Sequence, residues 1–186
     1  MTDTQHSFLN PYGLIYIDNF ISLEEETSLL EMVDRGKWRE TRHRNMQAYG
    51  FQYLKGEHHM ALHKVEPIPE AALSIIDRIR EYNKDLFFNQ MTVNRYLPGQ
   101  GIDAHYDHIE RFGDAIAGLT LGSGSTIIFE GNGEVEELYL KARSLYIMSG
   151  KYRYKMTHKI RKVHYDNVDG VEIKRGVRTS LTFRSV

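Results

Sequence analysis

The sequence predicts an α+β protein in which N-terminal helices pack on a β-sandwich or jelly roll. Two amphipathic helical patterns fall in the first half of the chain, and the second half is a series of short strand-like runs separated by Gly-rich turns. Helices followed by many short strands are typical of that architecture. The chain has 186 residues, enough for one domain with a substantial core, so we expect a single domain over residues 1–186.

The predicted elements each have a local reason. Residues 13–18 hold a short apolar run between turn residues, which predicts a strand. Ser22 and Glu25 form a capping-box pattern that begins a helix ending at Gly36. Pro69 begins a second helix that continues to about residue 82. Further strands are predicted at residues 115–121, 126–130, 135–140, 144–148 and 177–184.

The composition excludes several classes of protein. The formal net charge is −1, so any surface that binds nucleic acid must be local. The absence of cysteine removes disulfides, thiolate zinc sites and thiol nucleophiles. Residues 1–6 lack an apolar signal region and no stretch has the length of a membrane span. We therefore expect a soluble, intracellular, cytoplasmic protein that is a monomer and has no membrane partner.

Residues 37–63 interleave aromatic and basic side chains, and two interpretations of them stay open. One is a β-hairpin over the core with solvated basic residues. The other is a lid, within residues 12–63, that stacks a planar substrate, because nucleobases stack on aromatic faces and phosphates attract Arg and Lys. The candidate substrate contacts in this segment are Trp38, Arg42, Tyr49, Phe51 and Tyr53.

A possible metal site follows a predicted strand and a Pro-Gly-Gln-Gly turn. His105 and Asp107 are two residues apart, so on a strand they would share one face. His158 and His164 are the candidates for a third ligand. Two histidines and one carboxylate leave coordination positions open, as in non-haem iron(II) oxygenases, although zinc hydrolysis could use the same set.

A possible dicarboxylate site lies on the last predicted strand. Arg178 and Arg184 share one face of that strand and are separated by roughly 20 Å of it. Two long side chains that lean toward each other would leave a gap for a small diacid, because guanidinium binds carboxylate through two hydrogen bonds. Asn94 and Tyr96, on the polar face of an earlier strand, would add further hydrogen bonds.

These residues, in this order, closely resemble the AlkB family of Fe(II)- and 2-oxoglutarate-dependent dioxygenases. The similarity extends over nearly the whole chain and rests on Asn94-x-Tyr96-x-Pro98-Gly99-x-Gly101, His105-x-Asp107, His158, and Arg178 with Arg184. It implies a double-stranded β-helix and a reaction that uses O₂ and converts 2-oxoglutarate to succinate. It implies that iron is held by His105, Asp107 and His158. It also implies that 2-oxoglutarate is held by Asn94, Tyr96, Arg178 and Arg184, and that His164 is structural.

The same resemblance implies a modified base in nucleic acid as the substrate, oxidised by hydroxylation or demethylation, with tRNA-type RNA preferred over DNA. Ile109 stands where DNA-repair members tend to carry an acidic residue, which speaks against alkylation repair of charged bases. A local basic cluster predicts a phosphate contact: Lys151, Arg153, Lys155, Lys159, Arg161 and Lys162. Two alternatives stay open, namely the same chemistry on a protein side chain or small molecule, and a catalytically silent binding module.

Overall fold

The computed structural model describes residues 7–40, 44–55 and 60–186. In chain order, the first half contains β1 (Ser7–Asn10), β2 (Leu14–Ile17), α1 (Leu23–Arg35), β3 (Arg39–Glu40), β4 (Asn45–Tyr49), β5 (Phe51–Lys55), β6 (Met60–Lys64), α2 (Glu70–Arg80) and β7 (Gln90–Tyr96). The second half contains β8 (Ile102–His105), β9 (Ile116–Gly122), β10 (Ser125–Gly131), β11 (Glu134–Leu140), β12 (Leu145–Met148), α3 (Gly150–Tyr154), β13 (Thr157–Ile160), β14 (Tyr165–Val168), β15 (Val171–Lys174) and β16 (Arg178–Arg184).

Two facing antiparallel sheets organise the described residues. The large sheet has eight strands in the order β1-β2-β12-β9-β16-β7-β4-β3, and the small sheet has four in the order β11-β10-β13-β8. The hairpins β5–β6 and β14–β15 stand apart from both sheets. This arrangement, with the two long helices α1 and α2 against the large sheet, confirms the predicted jelly roll.

The two long helices begin and pack as their sequences predict. Ser22 accepts a hydrogen bond from the backbone of Glu25 and the Glu25 carboxylate accepts one from Ser22, which completes the capping box at the start of α1. The buried faces of α1 and α2 join the apolar outer face of the large sheet in one core, with Leu29 and Val33 from α1 and Ile79 from α2. Burial of these side chains fixes the helices on that sheet.

The opposite, inner face of the large sheet is divided into two parts. On β2 and β12 it carries apolar residues that form a second core with the small sheet, including Tyr146 and Phe129. On β7 and β16 the inner face is polar, because side chains alternate along a strand and every second residue of these strands is hydrophilic. The polar part faces a cavity of about 1190 Å³.

Three local features differ from the sequence prediction. Asp107 lies just beyond the end of β8, in the loop that follows, so strand alternation does not place it on the same face as His105. A short helix, α3, interrupts the strand series between β12 and β13. Residues 37–63 contain both an extension of the large sheet, β3 and β4, and the β5–β6 hairpin.

The described part of the chain contains no helix that is both long enough and apolar enough to cross a membrane.

Candidate active site

The predicted metal ligands are neighbours in the structure. His105 on β8 and His158 on β13 are paired across the small sheet, and their ring centroids are 4.3 Å apart. The Oδ2 atom of Asp107 lies 3.9 Å from Nε2 of His158. The Nδ1 atom of His105 lies 2.8 Å from the carbonyl oxygen of Asp103. Because a carbonyl can only accept, this contact assigns the proton to Nδ1 and leaves Nε2 of His105 available as a ligand.

The protonation states of this group suit a divalent cation. Burial lowers the pKa of His158 to about 4, so its imidazole is neutral near pH 7. Burial alone would raise the pKa of Asp107, but the charge of Arg184, followed by those of the two histidines, lowers it overall. Neutral imidazole and ionised carboxylate are the forms that bind a metal.

The described residues include no group of three His, Asp or Glu side chains that already converges as a set of metal ligands. At Asp107, Arg184 Nη2 is 3.0 Å from Oδ1 and takes up one carboxylate oxygen. The free oxygen, Oδ2, is the one directed at His158. Two imidazoles and one carboxylate are therefore a donor set that fits iron(II).

Arg178 is a buried cation beside the same cavity. Its side chain is 5% exposed, and among the described residues no carboxylate lies within 4.0 Å of it. Its Nη2 donates to Thr120 Oγ1 at 3.1 Å, and Nε has no hydrogen-bond partner within the described part of the chain. Since a buried cation without an anion is unfavourable, Arg178 suits the carboxylate of a ligand in the cavity. Nε of Arg184 is also buried without a partner.

The strand register brings the other predicted 2-oxoglutarate residues to these arginines. Tyr96 on β7 is opposite Arg178 on β16, and Asn94 is opposite Ser180. All four line the cavity. The alternation on two adjacent strands, which was visible in the sequence, thus produces a continuous polar wall.

Three further cavity residues were missed at the sequence level. Arg44 donates from Nε to Oδ1 of Asn94 at 2.8 Å, so the segment that precedes β4 contacts the proposed diacid wall. Phe112 lies under the guanidinium of Arg184, with 4.9 Å from Cζ to the ring centroid. Tyr146 lines the cavity from β12, and burial raises its pKa to about 12. Arg44 could have been found from the sequence, because it is the last residue of the basic Arg-His-Arg run. The sequence held no comparable signal for Phe112 or Tyr146.

The candidate substrate residues divide into those at the cavity and those away from it. Tyr49 and Tyr53 line the cavity, although Tyr49 is buried in the helix-side core and donates its hydroxyl to Gln47, whereas Phe51 and Ile109 are outside the lining. Stacking of Trp38 on substrate stays a prediction. Its ring packs beneath Arg95, 4.5 Å from Cζ, on the helix-facing side of the large sheet, and is outside the cavity lining. Arg42 lies outside the described residues.

The predicted phosphate-binding role of Arg153 is wrong. Its side chain is 1% exposed, and its guanidinium donates to backbone carbonyl oxygens. Most of the surrounding basic cluster is also neutralised by acidic side chains, mainly from β10 and β11. The pairs are Lys151–Glu134, Lys159–Glu130, Arg161–Glu137 and Lys162–Asp103. A near-neutral surface of this kind offers little attraction to a phosphate backbone.

The fold, the buried His–Asp group and the unpaired arginine define the class of protein. The family model described as 2OG-Fe(II) oxygenase superfamily matches residues 13–184. The chain belongs to that superfamily and is an enzyme of the dioxygenase type, and membership implies iron(II), 2-oxoglutarate and O₂ as its cofactor and co-substrates.

The relatives are of the AlkB type, as the sequence predicted. The tRNA (carboxymethyluridine(34)-5-O)-methyltransferase ALKBH8 of Macaca fascicularis is 34% identical over 203 residues, covering 95% of this chain and 31% of the relative. The alkylated DNA repair protein ALKBH8 homolog of Arabidopsis thaliana is 30% identical over 207 residues, covering 97% of this chain and 60% of the relative. The chain thus spans about a third of the first relative and three fifths of the second. The solved structure of OsALKBH1 shares the fold, with a TM-score of 0.73 at 14% identity, over 97% of this chain and 100% of that one.

Proposed function

We propose that this chain oxidises a modified base in nucleic acid, and that RNA of the tRNA type is preferred. The observation that carries the proposal is a single cavity lined by the His–Asp group and Arg178 together with aromatic and basic side chains. The name of the Macaca fascicularis relative favours tRNA, and that of the Arabidopsis thaliana relative keeps DNA as the competing substrate.

The site residues would divide the work as follows. His105, Asp107 and His158 would hold iron(II), and Arg178, Tyr96 and Asn94 would hold 2-oxoglutarate, with Arg184 next to Asp107. When bound, iron(II) with 2-oxoglutarate and O₂ supplies the oxidising chemistry. Arg178 would orient the distal carboxylate, because it is the buried cation without an anion.

The aromatic part of the cavity suits a planar base. Tyr53 on β5 lies edge-on to Phe112, with 5.9 Å between ring centroids, and Arg111 lies 5.0 Å above the Tyr53 ring. Because nucleobases stack on aromatic and guanidinium planes, Tyr53 and Phe112 are the candidate base contact. This proposed contact differs from the stacking on Trp38 that the sequence predicted.

The basic residues at the cavity are not those of the cluster predicted from the sequence, none of which lines it. Lys37 and Arg39, between α1 and β4, are exposed and line the cavity. Among the described residues neither has an ion-pair partner within 4.0 Å. We call Lys37 and Arg39 the rim of the cavity. A phosphate backbone that contacts the rim would place its base toward Tyr53.

The proposal is tested by mass spectrometry of nucleosides after purified protein is incubated with iron(II), 2-oxoglutarate, O₂ and either total tRNA or methylated single-stranded DNA. We expect a mass change on a tRNA nucleoside, which is absent with Asp107→Ala. A gain of one oxygen identifies hydroxylation, and loss of a methyl group identifies demethylation. Succinate release without any nucleoside change would refute the nucleic-acid substrate and direct the search to peptides and small molecules.

The rim is tested with two double variants of equal charge change. Lys37→Gln with Arg39→Gln should weaken tRNA binding and reduce its salt dependence by about one to two phosphate contacts. Lys159→Gln with Arg161→Gln is the matched control, since both residues are already paired with glutamates. A larger loss of binding in the control pair would place the phosphate contact on the β13 side instead.

The predicted monomeric state and cytoplasmic location remain predictions.

A further inference from the structure

Arg153 is buried in an unusual way for an arginine. The side chain is 1% exposed, and among the described residues no carboxylate lies within 4.0 Å of its guanidinium. Instead it donates four hydrogen bonds to backbone carbonyl oxygens. Their acceptors and lengths are Asp107 (2.8 Å), His108 (3.1 Å), Phe112 (3.0 Å) and Gly113 (3.1 Å).

The four acceptors belong to one loop, residues 107–113, which connects β8 to β9. Two of them are at the beginning of the loop and two are at its end, so one planar guanidinium fixes both ends. The charge is balanced by backbone dipoles, and a shorter or neutral side chain would leave several buried carbonyls without donors. The shape of this loop therefore depends on Arg153.

The loop and the arginine belong to the two segments that carry the proposed metal ligands. Asp107 is the first residue of this segment and lies two residues after His105, where β8 ends. Arg153 is in α3, five residues before His158 on β13. The 2.8 Å bond from Arg153 to the Asp107 carbonyl thus ties the backbone of one ligand to the segment of another.

We propose that Arg153 is a positioning residue of the metal site, which sets Asp107 relative to His158 by holding the carbonyl groups of residues 107–113. The inference rests on the proposed metal role of Asp107. It also covers the base contact, because Phe112, whose ring meets Tyr53 and Arg184, is held by the same guanidinium. Partners that orient a metal ligand typically change metal affinity by about 10- to 100-fold.

The test is a titration of the purified protein with Mn(II), which needs no turnover. Arg153→Lys keeps the charge but cannot reach four acceptors, so we expect its Mn(II) dissociation constant to rise by about 10- to 100-fold. Arg175→Lys is the control, because Arg175 is also a buried arginine but is held by Asp166 and the carbonyl of Arg161. It should lose thermal stability and retain the wild-type dissociation constant.

The outcomes separate this inference from the proposed function. Wild-type affinity in folded Arg153→Lys would overturn the positioning role while leaving the metal site intact. Absence of Mn(II) binding by the wild-type protein would overturn both. Should Arg153→Lys fail to fold, a crystal structure of the wild-type protein with Mn(II) and 2-oxoglutarate decides the matter. Retention of the bonds to Asp107 and His108 supports the inference, and their loss refutes it.

Discussion

Gly118 on β9 packs directly against the ring of Tyr146, which leaves no space for a larger side chain. Gly118→Ala therefore tests how tightly the inner face of the large sheet is packed. A Cβ atom at residue 118 would lie 2.3 Å from Cε1 of Tyr146 and 2.5 Å from Cζ. Ordinary contacts between carbon atoms are about 3.5 Å or longer, so the ring must move by about 1 Å. The ring is 6% exposed and belongs to the core between the sheets, so overpacking should cost about 1–3 kcal/mol.

Urea unfolding followed by circular dichroism measures this cost. A loss of about 2 kcal/mol corresponds to a shift of roughly 1 M in the urea midpoint. The sign of the change in unfolding free energy is informative. Gly118 does not have positive φ, so without a clash its replacement by alanine would stabilise the protein by up to about 1 kcal/mol. A displaced Tyr146 ring would also enter the cavity, so Gly118→Ala should bind 2-oxoglutarate more weakly.

A double-mutant cycle identifies the cause. In a Tyr146→Val background, which removes the ring, Gly118→Ala should be neutral or stabilising. In a Tyr146→Phe background, which retains Cε1 and Cζ, the cost should persist. An equal cost of Gly118→Ala in the wild-type and Tyr146→Val backgrounds would refute the reasoning, since the clash would then lie elsewhere.

Three further predictions concern charged residues at or near the site. Asp107→Ala should abolish saturable Mn(II) binding in calorimetry, and retained binding would remove Asp107 from the ligand set. Arg178→Met should weaken 2-oxoglutarate binding by about 10- to 100-fold, as expected for lost charge-assisted hydrogen bonds. It should not lower the melting temperature of the ligand-free protein, because it removes an unpaired buried cation. A fall in melting temperature with unchanged binding would contradict this role. For Asp166, burial raises the pKa, but Arg175 and Thr126 lower it overall from 3.8, so its stabilising effect is present above that value and is lost as the pH falls through the lower folded pKa. The difference in free energy of unfolding between wild type and Asp166→Asn should therefore be largest near neutral pH and narrow below pH 3.8, and a constant difference down to pH 3 would assign the effect to something other than ionisation.

The placement of the candidate 2-oxoglutarate residues on one face follows from strand periodicity. Asn94 and Tyr96 alternate with apolar residues on one strand, and Arg178 and Arg184 do so on another, so their common face could be derived before any pairing was known. Pairing of the two strands in antiparallel register then makes one wall. The capping box at Ser22 was predictable for a similar reason, because it depends only on residues three apart.

The errors concern contacts between residues distant in the chain. The cluster around His158 looked basic because its acidic partners come from β8, β10 and β11, and no local pattern pairs Lys159 with Glu130 or Arg161 with Glu137. Arg153 was assigned to a phosphate because an arginine between exposed lysines is normally exposed. Only tertiary structure reveals that the loop after Asp107 surrounds it.

One face of β7 and β16 belongs to the main core and the other forms the cavity wall, and this limits how the site can move. Val93 and Leu181 on these strands are fully buried against the helices, while Asn94 and Ser180, their immediate neighbours in sequence, face the cavity. The backbone that carries the cavity wall is thus the same backbone that holds the main core together. Local opening of that wall would require global unfolding, and its amides should be among the slowest to exchange with solvent.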